Sequence, residues 1–515
     1  MKLRWKILIG LGIVAVLGVA SLWVNMHSQP ASELEAYKKL LRSQGEKLEI
    51  SEVIPPPVPP EKNSVDAVRE AFAMFGSGAV SVPNAMRMVA PGKALIGWAQ
   101  PDARSPDFTN SWDQFADGVA ADAPAIELLH QVLDRPKLDF QLDYNQGATL
   151  PLYHLAPLKR SVQKLACASI FELHNGDTGA AATNILTILT LVHNNAAEGL
   201  LISHLVRIAF VAIAVSPTWE FLQATNLTDG QLAAVQKGWG NLDFLAEAEN
   251  AFVTERAWTA AEFQKLRTSH KQYELFLDSS GSTVGSSGPS GAPAWLDPVY
   301  SWTEGPRSAA AETLWRSSWS YSAELHLLRV NQTIIEATRA MQTNQSQFYK
   351  ADYDAMASHL AAFQITNYNH AFFDVLQIPD WHEFFADSAQ SSAVRKTLQI
   401  ETARRVVLAA IALKRFQIAH GKWPDTLIEL TPQFLPTVPI DPFDGKPLKY
   451  HPNPDGTFVL YSVGEDGVDD GGDATSAKTG LSGASQWYWL RARDWVWPQP
   501  ASPAEVQYFY DHPDN

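Results

Sequence analysis

The sequence predicts a mainly α protein: a large helical domain followed by a small α+β module, one helix plus a short antiparallel sheet. Three observations carry this expectation. Apolar residues recur at spacings of three and four through much of the chain, the period of one helix face. After Gly421 the texture changes to frequent proline and glycine with short β-prone runs. Across 515 residues, 46% apolar against 18% charged gives enough material for a buried core.

Residues 1–24 read as a membrane anchor. Lys2, Arg4 and Lys6 precede an uncharged run, ILIGLGIVAVLGVASLWV, over residues 7–24. As a helix this run is roughly 27 Å long, close to the hydrocarbon thickness of a bilayer. Cations before a span hold that end in the cytoplasm, and Trp5 and Trp23 fall near the two interfaces. The expectation is a single pass through the cytoplasmic (inner) membrane, with the bulk of the chain extracytoplasmic. The rival is a signal peptide cut after Ala20. Continuation of the apolar run through Leu22, Trp23 and Val24 suits an anchor better.

Residues 25–63 hold a short helix closed by Gly45 and then IPPPVPPEKN, over 54–63. Such a proline run is extended and excludes a helix interior, so it reads as a spacer or a strap along the domain surface.

Residues 64–390 form the expected helical domain. Leu158, Val162, Leu165, Ala166, Ile170 and Leu173 mark one apolar face. Asn175-Gly176-Asp177 should end that helix and start the next, with Gly176 past the C-cap and Asp177 as N-cap. The apolar stretch 199–215 carries His204 and Arg207 and meets Ser216-Pro217, so it reads as a buried core helix ending there. Residues 279–293, SSGSTVGSSGPSGAP, are a Gly/Ser-rich loop. Helices resume from about 307.

Residues 391–515 form the expected α+β module. A strongly apolar helix covers about 392–419. Strands are expected at Leu448–His451, Thr457–Tyr461 and Trp487–Arg491, with Asn453-Pro454-Asp455-Gly456 turning between the first two. The tail WYWLRARDWVWPQP reads as an edge strand of this sheet, or as a stacking surface for a sugar or nucleic acid.

Within this module HGKWPDTLIEL, then FLPTVPIDPFDGKPLKY, then FVLYSVGEDGVDDGGD occur in order. Residues 395–473 thereby resemble the soluble part of the major pseudopilins of type II secretion systems. The resemblance covers under a fifth of the chain, and residues 7–24 lack the glutamate of the pseudopilin N-terminal helix. What it implies is a fold module and a calcium-binding loop. By position Asp466 matches a family aspartate and Val463 a family backbone carbonyl, with Asp469, Asp470 and Asp473 as neighbouring substitutes. Carboxylates separated by Gly464, Gly467, Gly471 and Gly472 can wrap one calcium ion; an acidic, solvated turn is the other reading. The whole layout also resembles large membrane-anchored bacterial proteins, which implies no activity.

A net charge of −15 argues against nucleic acid as a partner. The single cysteine, Cys167, excludes an intrachain disulfide and reads as a buried small hydrophobe. Trp381-His382-Glu383 opens like a zinc-protease helix, but the second histidine position is Ala386. No nucleophile elbow and no phosphate loop occurs. His154, His193, His204 and His420 read as interior or surface histidines. The expectation is therefore a structural or interaction protein of the cell envelope without assigned catalytic residues, contacting the bilayer through 7–24 and envelope or secretion proteins elsewhere. A secretion-machinery accessory and a hydrolase with scattered site residues are the alternatives.

Overall fold

The computed structural model describes residues 29–76, 86–104, 109–135, 137–280, 309, 312–363, 387–476 and 491–512. The expected span 7–24, loop residues 281–293, the Trp381–Phe385 stretch and residues 487–490 lie outside the described residues. The protein is mainly α with a small α+β region in its C-terminal part.

A helix over 29–43 (α1) and a short helix Ile50–Val53 (α2) precede Val65–Met74 (α3). Then follow Trp112–His130 (α4), Leu155–His174 (α5), Thr178–Asn195 (α6), Leu201–Gln223 (α7), Asp229–Gly240 (α8), Phe244–Thr268 (α9) and His270–Ser280 (α10). A π-helical turn at Trp315–Trp319 leads into Ser320–Thr343 (α11), followed by Tyr349–Phe363 (α12), Asp387–His420 (α13) and Pro503–Asp511 (α14).

The α5–α6 step follows its sequence signals. Gly176 takes φ +79°, the left-handed conformation that glycine adopts without penalty. Asp177 Oδ1 accepts from the Ala180 N–H at 2.9 Å, capping α6. These helices and α7 pack together, and α13 lies across α7, α8 and α9. One buried apolar cluster runs from Val65 to Trp497, so the helix that opens the C-terminal module shares its core with the helical domain.

Two expectations need correction. The helical domain expected over 64–390 is not helical throughout. Arg87–Ala90 (β1) and Lys93–Leu95 (β2) form an antiparallel pair, and Ala103–Arg104 (β3) pairs with Thr109–Asn110 (β4). Strands of two to four residues are too short to show a period. Second, α7 does not end at Ser216-Pro217 but runs through Pro217 to Gln223. Proline removes one backbone donor; one residue on, the Thr218 hydroxyl donates to the Ala214 carbonyl at 2.7 Å.

Among the described residues α7 alone is long and apolar enough to cross a membrane, by length and composition. It is a core helix here, with 61% of its most apolar window buried. Its charges are paired or bonded inside. Arg207 donates to the Val192 carbonyl at 2.7 Å and pairs with Glu247 at 2.6 Å. His204 Nε2 meets Thr397 Oγ1 at 2.9 Å, tying α7 to α13. Burial, then Arg207, holds the His204 pKa down at about 3, so the ring is neutral.

In the C-terminal part Lys449–Pro452 (β5) and Phe458–Ser462 (β6) form the expected hairpin, with Tyr450 opposite Leu460. Trp495–Val496 (β7) pairs with β6, so the aromatic tail does close the sheet, at residues beyond the expected 487–491. Gln499–Pro500 (β8) then pairs in parallel with β2, Lys93 opposite Gln499.

Candidate functional site

The proline run is a strap fastened at both ends. Upstream, the Arg42 guanidinium bonds Glu49 and Glu52 around α2. Downstream, Asn63 Nδ2 donates to the Asp139 carbonyl and Asn63 Oδ1 accepts the Asp139 N–H, both at 3.1 Å. The Ser64 hydroxyl adds a bond to the Lys137 carbonyl at 2.8 Å. Between these clamps Pro55, Pro56, Pro57 and Pro59 form one wall of a cleft of about 550 Å3. Prolines carry no N–H, so the wall presents no donor that needs a partner.

The lining also includes Leu138, Phe140, Leu142, Tyr144 and Val253, with Lys47, Lys62 and Lys137. The floor is built around Glu198, at the turn between α6 and α7. Glu198 Oε1 meets His154 Nε2 at 2.7 Å and accepts from Asn195 Nδ2 at 2.6 Å. Its Oε2 accepts from the Ser203 hydroxyl at 2.5 Å, and its carbonyl from the Tyr144 hydroxyl at 2.7 Å. All five residues are buried. The His154 ring stacks on Phe140 at 4.2 Å between centroids.

Serine, histidine and a carboxylate thus meet here, but in the wrong order for nucleophilic catalysis. A serine nucleophile needs its hydroxyl on the histidine base; Ser203 and His154 both bond Glu198 instead. The floor is a rigid support. Glu198→Ala would strand three donors without their acceptor, and a loss of about 3 kcal/mol is expected in denaturant unfolding. An unchanged midpoint would mean the network does not hold the floor.

The acidic loop follows β6. Val463 is fully buried, and its N–H donates to Asp441 Oδ2 at 2.8 Å. Asp466 is exposed and accepts from the Val468 N–H at 3.0 Å. Asp469 Oδ1 accepts from the Tyr461 hydroxyl at 2.9 Å and the Gly471 N–H at 3.1 Å. Asp470 and Asp473 face Arg493 at 3.9 and 3.8 Å. The four aspartates share one loop, but among the described residues no group of three or more His, Cys, Asp or Glu converges to hold a metal.

The loop also closes on Asp494, which lies outside the expected set. Its buried carboxylate accepts from the N–H groups of Gly472 at 2.7 Å, Asp473 at 3.1 Å and Asp470 at 3.4 Å. Burial pushes the Asp494 pKa up, against these bonds. Gly464, at φ +73°, lets the chain pass the Arg493 carbonyl, which would lie 2.6 Å from any Cβ there. Asp441 plays the matching role at the hairpin base, accepting from Val463, Phe443 and Ser462.

A second cleft, of about 480 Å3, is lined by Arg404, Arg405 and Arg415. Their charges are already spent: Arg404 and Arg405 on Glu401, Arg415 on Asp229. Burial would raise the Glu401 pKa, but Arg404 and Arg405 hold it at about 2.

Sequence reasoning missed Glu198, Asp441 and Asp494. The legible signal was an isolated acid beside apolar or aromatic neighbours, as in Ile440-Asp441-Pro442 and Asp494-Trp495. No family model, no curated protein and no solved structure matches the chain.

Proposed function

We propose that this chain is a membrane-anchored, extracytoplasmic protein of the bacterial cell envelope that acts by binding, with the cleft beneath the proline strap as its binding site. The observation that supports binding over chemistry is the floor around Glu198, whose polar side chains bond one another while the cleft above keeps apolar walls and three lysines. A cleft of about 550 Å3 is in the range that takes a small organic ligand. Its chemistry suits an apolar body with an anionic end.

The dye 1-anilinonaphthalene-8-sulfonate has that chemistry. It should fluoresce on the wild-type protein with saturable binding, and Val253→Trp, which fills the cleft, should remove that component. Equal signals from both proteins would overturn the cleft as the site. The address rests on residues 2–24. Fused at the C-terminus, alkaline phosphatase should be active and green fluorescent protein dark; the reverse pattern would place the body inside the cell.

Calcium at Asp466, Asp469, Asp470, Asp473 and the Val463 carbonyl belongs to the same proposal. Since Asp494 already closes the loop, an ion would have to draw the aspartates inward. Calcium should raise the melting temperature modestly, chelator should reverse it, and Asp466→Ala should abolish the shift. Superimposable melts with calcium and chelator would remove the ion.

A further inference from the structure

A smaller cavity, of about 190 Å3, opens where the helical core meets the C-terminal sheet. Ala410 and Lys414, one turn apart on α13, line one side. Leu222 and Gln223 at the end of α7 line another, and the remaining lining comes from Trp423, from Gly456–Phe458 at the hairpin turn and from Trp497–Pro500.

The walls are fixed by their own bonds. Trp423 Nε1 donates to the Gly456 carbonyl at 2.7 Å, and its ring meets Phe458 edge to face at 4.8 Å. Trp497 is buried, and its N–H donates to the Leu460 carbonyl at 2.8 Å. Gln499 Nε2 donates to the Phe458 carbonyl at 2.9 Å, while its Oε1 accepts from Lys93. The cavity is therefore preformed.

Lys414 differs from the arginines of the second cleft. Arg404, Arg405 and Arg415 each have a carboxylate partner, whereas half-buried Lys414 has no hydrogen bond or ion pair among the described residues. Burial lowers its pKa, with no neighbouring charge acting on it. A desolvated, unpaired ammonium is unfavourable, and an anion entering the cavity would relieve it. Aromatic walls alone could hold a cation, but Lys414 repels one.

The geometry points to a binding site for a small aromatic carboxylate, with the Lys414 ammonium as counter-charge and Trp423, Phe458 and Trp497 as walls for its ring. The volume lies below that of pockets for drug-sized ligands, which restricts the occupant to about one ring system. A single lysine on a flexible stem suits one carboxylate, whereas a phosphate site would bring several donors.

The test uses the full chain, with benzoate and phenylacetate set against their neutral amides, benzamide and phenylacetamide. Binding is read by calorimetry and by quenching of tryptophan fluorescence. The acids should bind, and the amides should bind roughly tenfold or more weakly, the loss expected for one charge-assisted contact. Lys414→Met should abolish the preference for acid over amide while leaving the melting temperature unchanged or higher. Lys414→Arg should keep part of it. Val253→Trp, in the strap cleft, should leave it intact. Equal binding of acid and amide, undiminished acid binding by Lys414→Met, or no binding of either acid at millimolar concentration would each overturn the site. Should Lys414→Met fail to fold, Lys414→Gln serves the same comparison.

Discussion

Replacing Glu46 with alanine is expected to lower stability by about 3–5 kcal/mol, the loss seen when one partner of a buried charge cluster is removed. Glu46 sits just past the end of α1 and is buried against α9 and α11. Its Oε2 accepts from Arg256 at 2.8 Å and from Arg339 at 3.2 Å; its Oε1 accepts from Gln332 at 3.1 Å and from Arg339. Arg256 is fully buried and also donates to the Lys47 carbonyl at 2.8 Å. Without the carboxylate, Arg256 becomes a buried, uncompensated charge.

Glu249→Ala supplies the control, because Glu249 pairs with the exposed side of the same Arg339; it should cost no more than about 1 kcal/mol. Denaturant unfolding measures both, and limited proteolysis should show residues 29–54 released first in Glu46→Ala. Equal losses in the two variants would show that Glu46 is not the tie. Acid should mimic the substitution. Burial alone would raise the Glu46 pKa, but Arg339, Gln332 and Arg256 hold it at about 2, below its unfolded value of 4.5. Its contribution is therefore complete above pH 4.5 and lost as pH falls through about 2.

Glu220→Gln should act in the opposite direction, stabilising the protein in alkali. Glu220 is fully buried on α7 and holds the β1–β2 pair, its Oε1 accepting from the Gly97 N–H at 2.7 Å and the Met86 N–H at 3.0 Å. Burial pushes its pKa up to about 8, only partly offset by those bonds. Between the unfolded value of 4.5 and about 8 the native state holds a proton that the unfolded chain has released. Stability therefore falls with rising pH through that window, by about 1.4 kcal/mol per unit for this group. Glutamine keeps the acceptor and never ionises. Glu220→Gln should match the wild type near pH 5 and exceed it by a few kcal/mol at pH 9 in denaturant unfolding. Parallel pH profiles would show that Glu220 does not carry the effect.

The elements legible in the sequence are those whose cause is local. The apolar face of α5, the Gly176-Asp177 step and the Asn453–Gly456 hairpin each declare themselves within a few residues, and each is present. The continuation of α7 through Pro217 was not legible, because core packing outweighs a local breaker. The strap cleft was not legible either. Its lining comes from four segments around residues 47–62, 137–144, 196–199 and 250–254, and apart from the proline run none of them has a motif of its own. For the acidic loop the sequence located the aspartates, but the residue that organises it, Asp494, is more than twenty positions away from Gly472.

The pairing of β2 with β8 has a consequence for how the molecule is made. Lys93 Nζ reaches Gln499 Oε1 across 406 positions of chain, and Trp219 Nε1 donates to the Pro498 carbonyl at 2.9 Å. Ribosomal synthesis delivers residues 93 and 219 long before residue 498, so neither bond can form until residues 498 and 499 have emerged. Contacts this remote slow the search for the native state, and the edge of β2 stays uncovered in the interim, open to pairing with other chains. This single strand register leaves one edge of β2 without its native cover until residues 498–500 arrive.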